Sequence, residues 1–329
     1  MIRDLQAAAW GKFAALRARL PHALLLQGAQ GVGKLQLAER FAQLLLCESA
    51  TQASAPCDAC AACRWFLGGN HPDVRYVEPE ALARFPAPSD EDQAAPAKTT
   101  KPSTEIRIEQ VRALADFVNI GSHRGGRRIA IVHPAEDMNA ASANSLLKSL
   151  EEPPAGAVFL LVSHRPARLL PTVRSRCVAV PVPPPEPKAA SAWLAAQGVN
   201  DPARWLAFAG GAPRRALELA TGERLGAILT LLRALEAGDY EAAAAIPDRA
   251  SLELLAEVLQ KLALDRAFGA LAGGRRFLPE LKPPAGGQPA EWLAFARAMG
   301  RSRLLARHPL NPRLFAAEML AGIPGTLPR

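Results

Sequence analysis

The chain has 329 residues, 49% hydrophobic and 21% charged, with a formal net charge of +8 at pH 7. That length exceeds one ordinary hydrophobic core, so two or three domains are expected, and the balance of apolar and charged residues excludes wholesale disorder. The longest apolar stretches, at 23–27 and 157–162, are far shorter than the roughly 20 residues of a membrane-spanning helix, and Met1-Ile2-Arg3-Asp4 opens no secretory signal, so the sequence predicts a cytoplasmic protein without a membrane partner. The positive charge suits a nucleic-acid partner but is not by itself a site.

The first clear element is an apolar strand, Ala23-Leu24-Leu25-Leu26, followed by a glycine-rich turn and a helix with apolar residues at Leu35, Ala38, Phe41, Leu44 and Leu45. Gly28-Ala29-Gln30-Gly31-Val32-Gly33-Lys34 fits G-x-x-x-x-G-K. Between a strand and a helix, that pattern turns backbone N–H groups and a helix N-terminus toward a phosphate, which makes Gly28, Gly31, Gly33 and Lys34 candidate nucleotide-binding residues. The competing reading is a glycine-rich turn with no ligand, which leaves Lys34 unexplained. The next position departs from the pattern. Where a hydroxyl should ligate Mg²⁺ the chain has Leu35, which cannot coordinate a hard cation.

Five cysteines in a chain expected in the cytoplasm argue for metal binding or chemistry rather than a disulfide framework. Cys57, Cys60 and Cys63 fall at C-x2-C-x2-C, and Cys47 lies nine intervening residues upstream. Four thiolates at that spacing close a tetrahedral Zn²⁺ site with no open position, a structural module at about 47–63. An iron–sulfur cluster and free buried thiols are the alternatives. Cys177 is distant and reads as a core residue at a strand end. Residues 79–103, rich in Pro, Ala, Ser, Thr and charge without a period, read as a long surface insertion, mobile by composition.

A second strand, Ile129-Ala130-Ile131-Val132, leads through His133-Pro134 to a helix from about Asn139 to Glu152, stopped by Pro153-Pro154, and a third strand spans Val158 to Val162. Nucleotide hydrolysis needs one acid at the end of such a second strand to hold Mg²⁺ and another to activate water. His133 and Pro134 stand there instead, and Glu136 and Asp137 read as residues that cap or solvate the next helix. With Mg²⁺ ligands missing at two places, no Mg²⁺ site and no hydrolysis are expected, and any ATP or ADP binding rests on Lys34 and the glycines. His123-Arg124 and Arg127-Arg128 are candidate phosphate contacts for DNA, in competition with an ordinary solvated loop.

Short apolar strands alternating with helices predict a parallel α/β domain over 1–182. Pro181 to Pro187 forms a stiff extended linker. Beyond it, helical spacing at 189–197, 202–209, 214–220 and 225–237 divides most simply into a small helical domain, 183–222, and a longer one, 223–329.

Several separated segments then agree with one family. His22 to Leu26, Gly28 to Lys34, the cysteine set, the run Asn144-Ser145-Leu146-Leu147-Lys148-Ser149-Leu150-Glu151-Glu152-Pro153-Pro154 and Ser175-Arg176-Cys177 closely resemble the AAA+ clamp-loader subunits of bacterial DNA polymerase III. The likeness spans about residues 20–220, and the last hundred residues match only as a helical region. It implies an α/β AAA+ P-loop domain with an inserted four-cysteine zinc module, a small helical lid and an all-α C-terminal collar through which five subunits form a ring. Motor members, the gamma/tau type, keep a complete P-loop and an Asp-Glu pair on the second strand. This chain lacks both and so resembles a stationary member of the ring.

The resemblance further implies that Arg176 is an arginine finger, reaching in trans to the γ-phosphate of ATP held by a neighbour. A local salt bridge is the rival reading of that residue, with Arg174 nearby. Arg214, beside Arg215, falls at the family's second-sensor position, and Ser163 falls at the first-sensor position, where the family prefers Thr. The implied partners are gamma/tau and delta subunits, the sliding clamp and primer-template DNA. An active motor ATPase and a zinc-containing DNA-binding module are the two alternatives.

Overall fold

In a computed structural model of the chain, the residues described are 5–49, 55–83, 102–121, 126–222, 225–239, 241, 249–278, 286–306 and 310–325. They fall into two compact units, Met1–Pro185 and Glu186–Arg329.

The first unit is built on one sheet. Strands β1 (Ala23–Gln27), β2 (Val74–Val77), β3 (Arg128–Val132), β4 (Ala157–Ser163) and β5 (Val178–Pro181) run parallel in the order β2-β3-β4-β1-β5. Leu25 pairs with Leu161 on one side and Ala179 on the other, and Ile131 pairs with Leu160. The three central strands are buried along nearly their whole length. Their unbroken apolar runs are what a parallel sheet covered on both faces demands.

Alternation along each strand sends Ala23, Leu25, Ala130, Val132, Phe159 and Leu161 to one face. There they meet Val111, Leu114 and Phe117 of α4 (Ile108–Asn119) and Leu146 and Leu150 of α5 (Ala140–Glu151). The alternate residues, Leu24, Leu26, Ile129, Ile131 and Leu160, face the other way, where α2 (Lys34–Leu46) packs on β1, β3 and β4. Phe13 of α1 (Ala7–Leu16) extends that layer, its ring 5.0 Å from Phe41. Asn139 starts α5 as a side-chain cap, its Oδ1 accepting the Ser142 N–H at 2.9 Å. Cys177 is partly buried against the first face, and burial pushes its thiol up to about 11.

Of the expected insertion, residues 84–101 lie outside the described residues. Its ends are tied together: the Ala81 N–H donates to the Ser103 carbonyl at 3.0 Å, the Ser103 N–H to Glu80 at 3.0 Å, and Arg107 pairs with Glu80 at 3.0 Å.

The second unit is helical among its described residues: α7 (Pro187–Ala196), α8 (Pro202–Phe208), α9 (Pro213–Thr221), α10 (Leu225–Ala237), α11 (Arg249–Ala272), α12 (Pro289–Leu305) and α13 (Pro312–Ala321). Proline opens α7, α8, α9, α12 and α13, where its missing N–H costs nothing and its fixed φ suits a first turn. Leu255, Leu259 and Leu262 of α11 are buried, as are Trp292, Phe295 and Met299 of α12. Glu257, buried on α11, meets Lys261 at 2.5 Å, Arg215 of α9 at 3.4 Å and Arg303 of α12 at 3.6 Å. No helix among the described residues is long and apolar enough to cross a membrane.

Candidate functional site

The turn after β1 has the backbone of a phosphate loop. Gly31 and Gly33 have φ of 81° and 97°, in the left-handed region that side chains avoid, and α2 begins directly at Lys34. At Gly28 the reason is contact rather than torsion: a Cβ there would lie 2.3 Å from the Val182 carbonyl oxygen. Gln6, also buried, donates its side-chain amide to Val32 of the loop at 2.7 Å and to Pro183 at 3.1 Å.

Lys34 is 2% exposed and folds back on its own loop, its Nζ donating to the carbonyls of Gly28 at 2.8 Å and Ala29 at 2.7 Å. Burial draws the ammonium down to about 8, against the pull of the Glu136 carboxylate, which favours the charged form. Leu35 is buried and supplies no oxygen.

At the far end of β3, Glu136 corrects the sequence expectation. The cap of α5 is Asn139, and Glu136 turns instead across the strand ends, its Oε1 accepting the N–H groups of His164 at 2.9 Å and Arg165 at 3.0 Å. A 3-10 turn at Ala135–Asp137 produces this redirection. Ser163, fully buried at the end of β4, accepts the Arg165 N–H at 3.2 Å. His133 stacks edge-on to His164 with centroids 5.3 Å apart and has Glu78 at 3.4 Å. Burial first, then Lys34, His133 and Arg165, lowers His164 to about 3, so it is neutral.

The thiols of Cys47, Cys57, Cys60 and, on the short helix α3 (Ala61–Leu67), Cys63 lie within 4.8 Å of one another, with Cys47 to Cys60 at 4.0 Å and Cys57 to Cys63 at 3.9 Å. Metal–sulfur bonds of about 2.3 Å give a tetrahedral edge of about 3.8 Å, so the set converges on a single ion. Backbone N–H groups already point at the sulfurs: Cys57 to Cys47 at 3.4 Å, Cys60 to Cys57 at 3.3 Å and Cys63 to Cys60 at 3.4 Å. N–H bonds from Ala59 and Cys60 hold the Cys57 thiol down to about 6, whereas burial pushes Cys63 up to about 12.

Sequence reasoning missed what anchors this loop. Asp58, in a left-handed conformation at φ 59°, receives Arg40 through both guanidinium nitrogens and Gln43 at 2.9 Å, so the cysteine turn is fastened to α2. Arg40 and Gln43 lie three apart on one helix face, but nothing in the sequence says which loop they meet.

Arg176 follows the short helix α6 (Pro171–Arg174). Its guanidinium contacts Glu151 at the end of α5 and donates to the Thr172 carbonyl at 2.9 Å. Both partners are partly exposed, at 34% for Arg176 and 48% for Glu151. Arg214 is half-buried, and its neighbour Arg215 is taken up by Glu257 and Glu218. Arg128, a candidate for DNA contact, is buried, its guanidinium bound to the Phe117 carbonyl and lying 4.5 Å over that ring, beside Asp73. It is therefore a core residue. An arginine entering the sheet at the first position of β3 has only its neighbours to satisfy it. Arg127 is half-buried, and His123-Arg124 lie outside the described residues.

A parallel sheet of this order, with a phosphate loop between β1 and α2, defines a P-loop α/β domain. A crystal structure of a DNA polymerase III gamma-subunit-related protein from Thermotoga maritima has the same fold, with a TM-score of 0.52 over 95% of this chain and 97% of that one at 17% identity. The family model described as DNA polymerase III, delta subunit matches residues 9–186, and the chain belongs to that family. Among its relatives, the DNA polymerase III subunit delta' of Pseudomonas aeruginosa is 42% identical over 65% of this chain, and that of Escherichia coli 33% over 65%. The subunit delta' of Bacillus subtilis is 33% identical over 55%. The matched segment spans 60%, 59% and 48% of those three proteins.

Proposed function

We propose that the chain works as the delta-prime subunit of a DNA polymerase III clamp loader. It is the member of the AAA+ ring that hydrolyses nothing itself and lends Arg176 to ATP held by a neighbouring gamma/tau subunit while the sliding clamp is loaded onto primed DNA. The observation that carries this reading is the loss of magnesium ligands at Leu35 and at His133-Pro134, beside an intact Ser175-Arg176-Cys177 turn. The family match and the names of the relatives support it.

The contact between Arg176 and Glu151 is no obstacle. A partly exposed ion pair is worth about 0–1 kcal/mol, far less than a guanidinium gains against the charge developing on a transferring phosphate. In this reading residues 183–222 are the lid and 223–329 the collar that meets gamma/tau and delta in a five-membered ring. Arg214 is the second-sensor residue, since Arg215 is committed to Glu257. The four cysteines hold a structural Zn²⁺ that closes the 47–63 loop with no open coordination position. DNA is met through the assembled complex, in the cytoplasm.

Reconstitution of the loader with Arg176→Ala tests the reading. Clamp loading and the DNA-dependent ATPase of the complex should fall by at least about tenfold, a modest share of what arginine fingers supply. The isolated chain should release no phosphate from ATP. Unchanged loading by the variant, or Lys34-dependent turnover by the chain alone, would overturn it.

A further inference from the structure

Arg176 is held from two sides by its own chain. Its Nη2 contacts the Glu151 carboxylate, while its Nη1 donates to the Thr172 carbonyl at 2.9 Å and reaches the Ser175 hydroxyl oxygen at 3.4 Å. The backbones that carry these groups are anchored. Leu150, beside Glu151, and Val173, beside Thr172, are buried in the same core cluster, and Cys177, directly after Arg176, is partly buried against it. Helices α5 and α6 also pack on each other. Carboxylate and guanidinium therefore meet on rigid supports, although both remain open to solvent.

Helix physics disfavours an acid where Glu151 stands. The helix α5 ends there, Pro153-Pro154 prevent its continuation, and the unpaired carbonyls of a last turn carry partial negative charge that suits a cation. Glu152, the C-cap, adds a second carboxylate. A local choice that weakens the helix, yet finds one specific cation outside it, points to the pair rather than to the helix. The guanidinium has five N–H donors, and those not engaged by Glu151, Thr172 and Ser175 have no partner among the described residues. They are the donors left for phosphate oxygens. We infer that Glu151 is a positioning residue for Arg176, ordering a long side chain at the surface so that it meets a neighbour's phosphate already oriented. This rests on the reading of Arg176 as a finger in trans and adds the residue that aims it. The carboxylate itself touches no nucleotide, and its contribution is orientation.

Glu151→Gln tests this in the reconstituted loader, since the amide keeps the size of the side chain and removes the charge that grips the guanidinium. The DNA-dependent ATPase should lose about three- to fivefold in kcat, the span that a partly exposed ion pair can carry, with KM for ATP little changed. The same substitution in an Arg176→Ala background should have no further effect, because a residue acting through the arginine then has nothing to aim. Thermal melting of the free chain and gel filtration of the complex establish fold and assembly.

An unchanged kcat with Glu151→Gln overturns the inference. So does a rise, which would make the pair a latch that restrains the finger. An equal loss in the Arg176→Ala background, or failure of the variant to fold or to enter the complex, overturns it too, because Glu151 then has a role of its own. The two readings fail separately. Loss with Arg176→Ala but not with Glu151→Gln removes the positioning and leaves the finger, whereas an Arg176→Ala loader of full activity removes the finger itself.

Discussion

Lys34 and Leu35 are adjacent, and the contrast between them carries most of the chemistry. The ammonium reaches back to loop carbonyls, while the leucine fills the core at the point where a metal ligand would stand. Such identities are legible in the sequence because G-x-x-x-x-G-K and C-x2-C-x2-C are local patterns, each fixed by backbone geometry over a few residues. Glu136 was not legible in that way. Its role depends on a 3-10 turn that carries the side chain across two strand ends, 28 positions from the His164 N–H that it binds. Arg128 failed for the same reason, since a charge in a run of basic residues looks solvated until the sheet places it against Phe117.

Asp58→Ala removes the contact that fastens the cysteine turn to Arg40 and Gln43, so zinc affinity, measured by competition with a chromophoric chelator, should weaken roughly tenfold, as for loss of an outer-shell partner. Glu257→Gln leaves Lys261 buried without an anion and should lower the stability of the helical unit by about 3 kcal/mol in urea unfolding.

The same carboxylate has a pH signature. Burial alone would raise it, but Lys261, Arg303 and Arg215 together hold it below its ordinary value of 4.5. Lys261 is also lowered, because burial and two arginines outweigh one carboxylate. A carboxyl depressed in the folded state contributes stability that is present above its unfolded value and lost as pH falls through the folded one. The wild type should therefore lose melting temperature below about pH 4.5 more steeply than Glu257→Gln.

Among elements, β1, β3, β4, α5 and α10 lie where apolar runs and helical spacing put them, because long apolar periodicity outweighs local accidents. Strand β2 carries no such signal in the sequence, and β5 only a hint at Cys177. Each is four residues long at a sheet edge, and β5, with Val178 46% exposed, borders the proline run that reads as linker. Helix α4 carries a sound pattern in Val111, Leu114 and Val118 but follows the insertion, whose composition hides it. The centre of the sheet is where a truncation should cost most. Phe159→Ala, at a fully buried position on β4, should destabilise the α/β unit by about 3–5 kcal/mol in denaturant unfolding.

For the molecule as a whole, its two units set what a global measurement reads. Stripping metal with a strong chelator should lower the melting temperature of the α/β unit, which contains all four clustered cysteines, and leave the transition of the helical unit in place. One zinc per chain by atomic absorption before treatment is the accompanying expectation. The class of the α/β unit was legible in its alternation of strands and helices. The prolines at 183–187 cannot sustain a ladder or a helix interior, which is why the sequence reads as linker there. The packing among the helices was not, since apolar spacing marks a helix without saying which neighbour its stripe will meet.

Gly28 is held to hydrogen at its α-carbon by the Val182 carbonyl, on the stretch leaving the sheet for the helices. The turn is therefore a seat for the departing backbone as well as a cradle, and its first glycine has an architectural reason to exist that owes nothing to triphosphates.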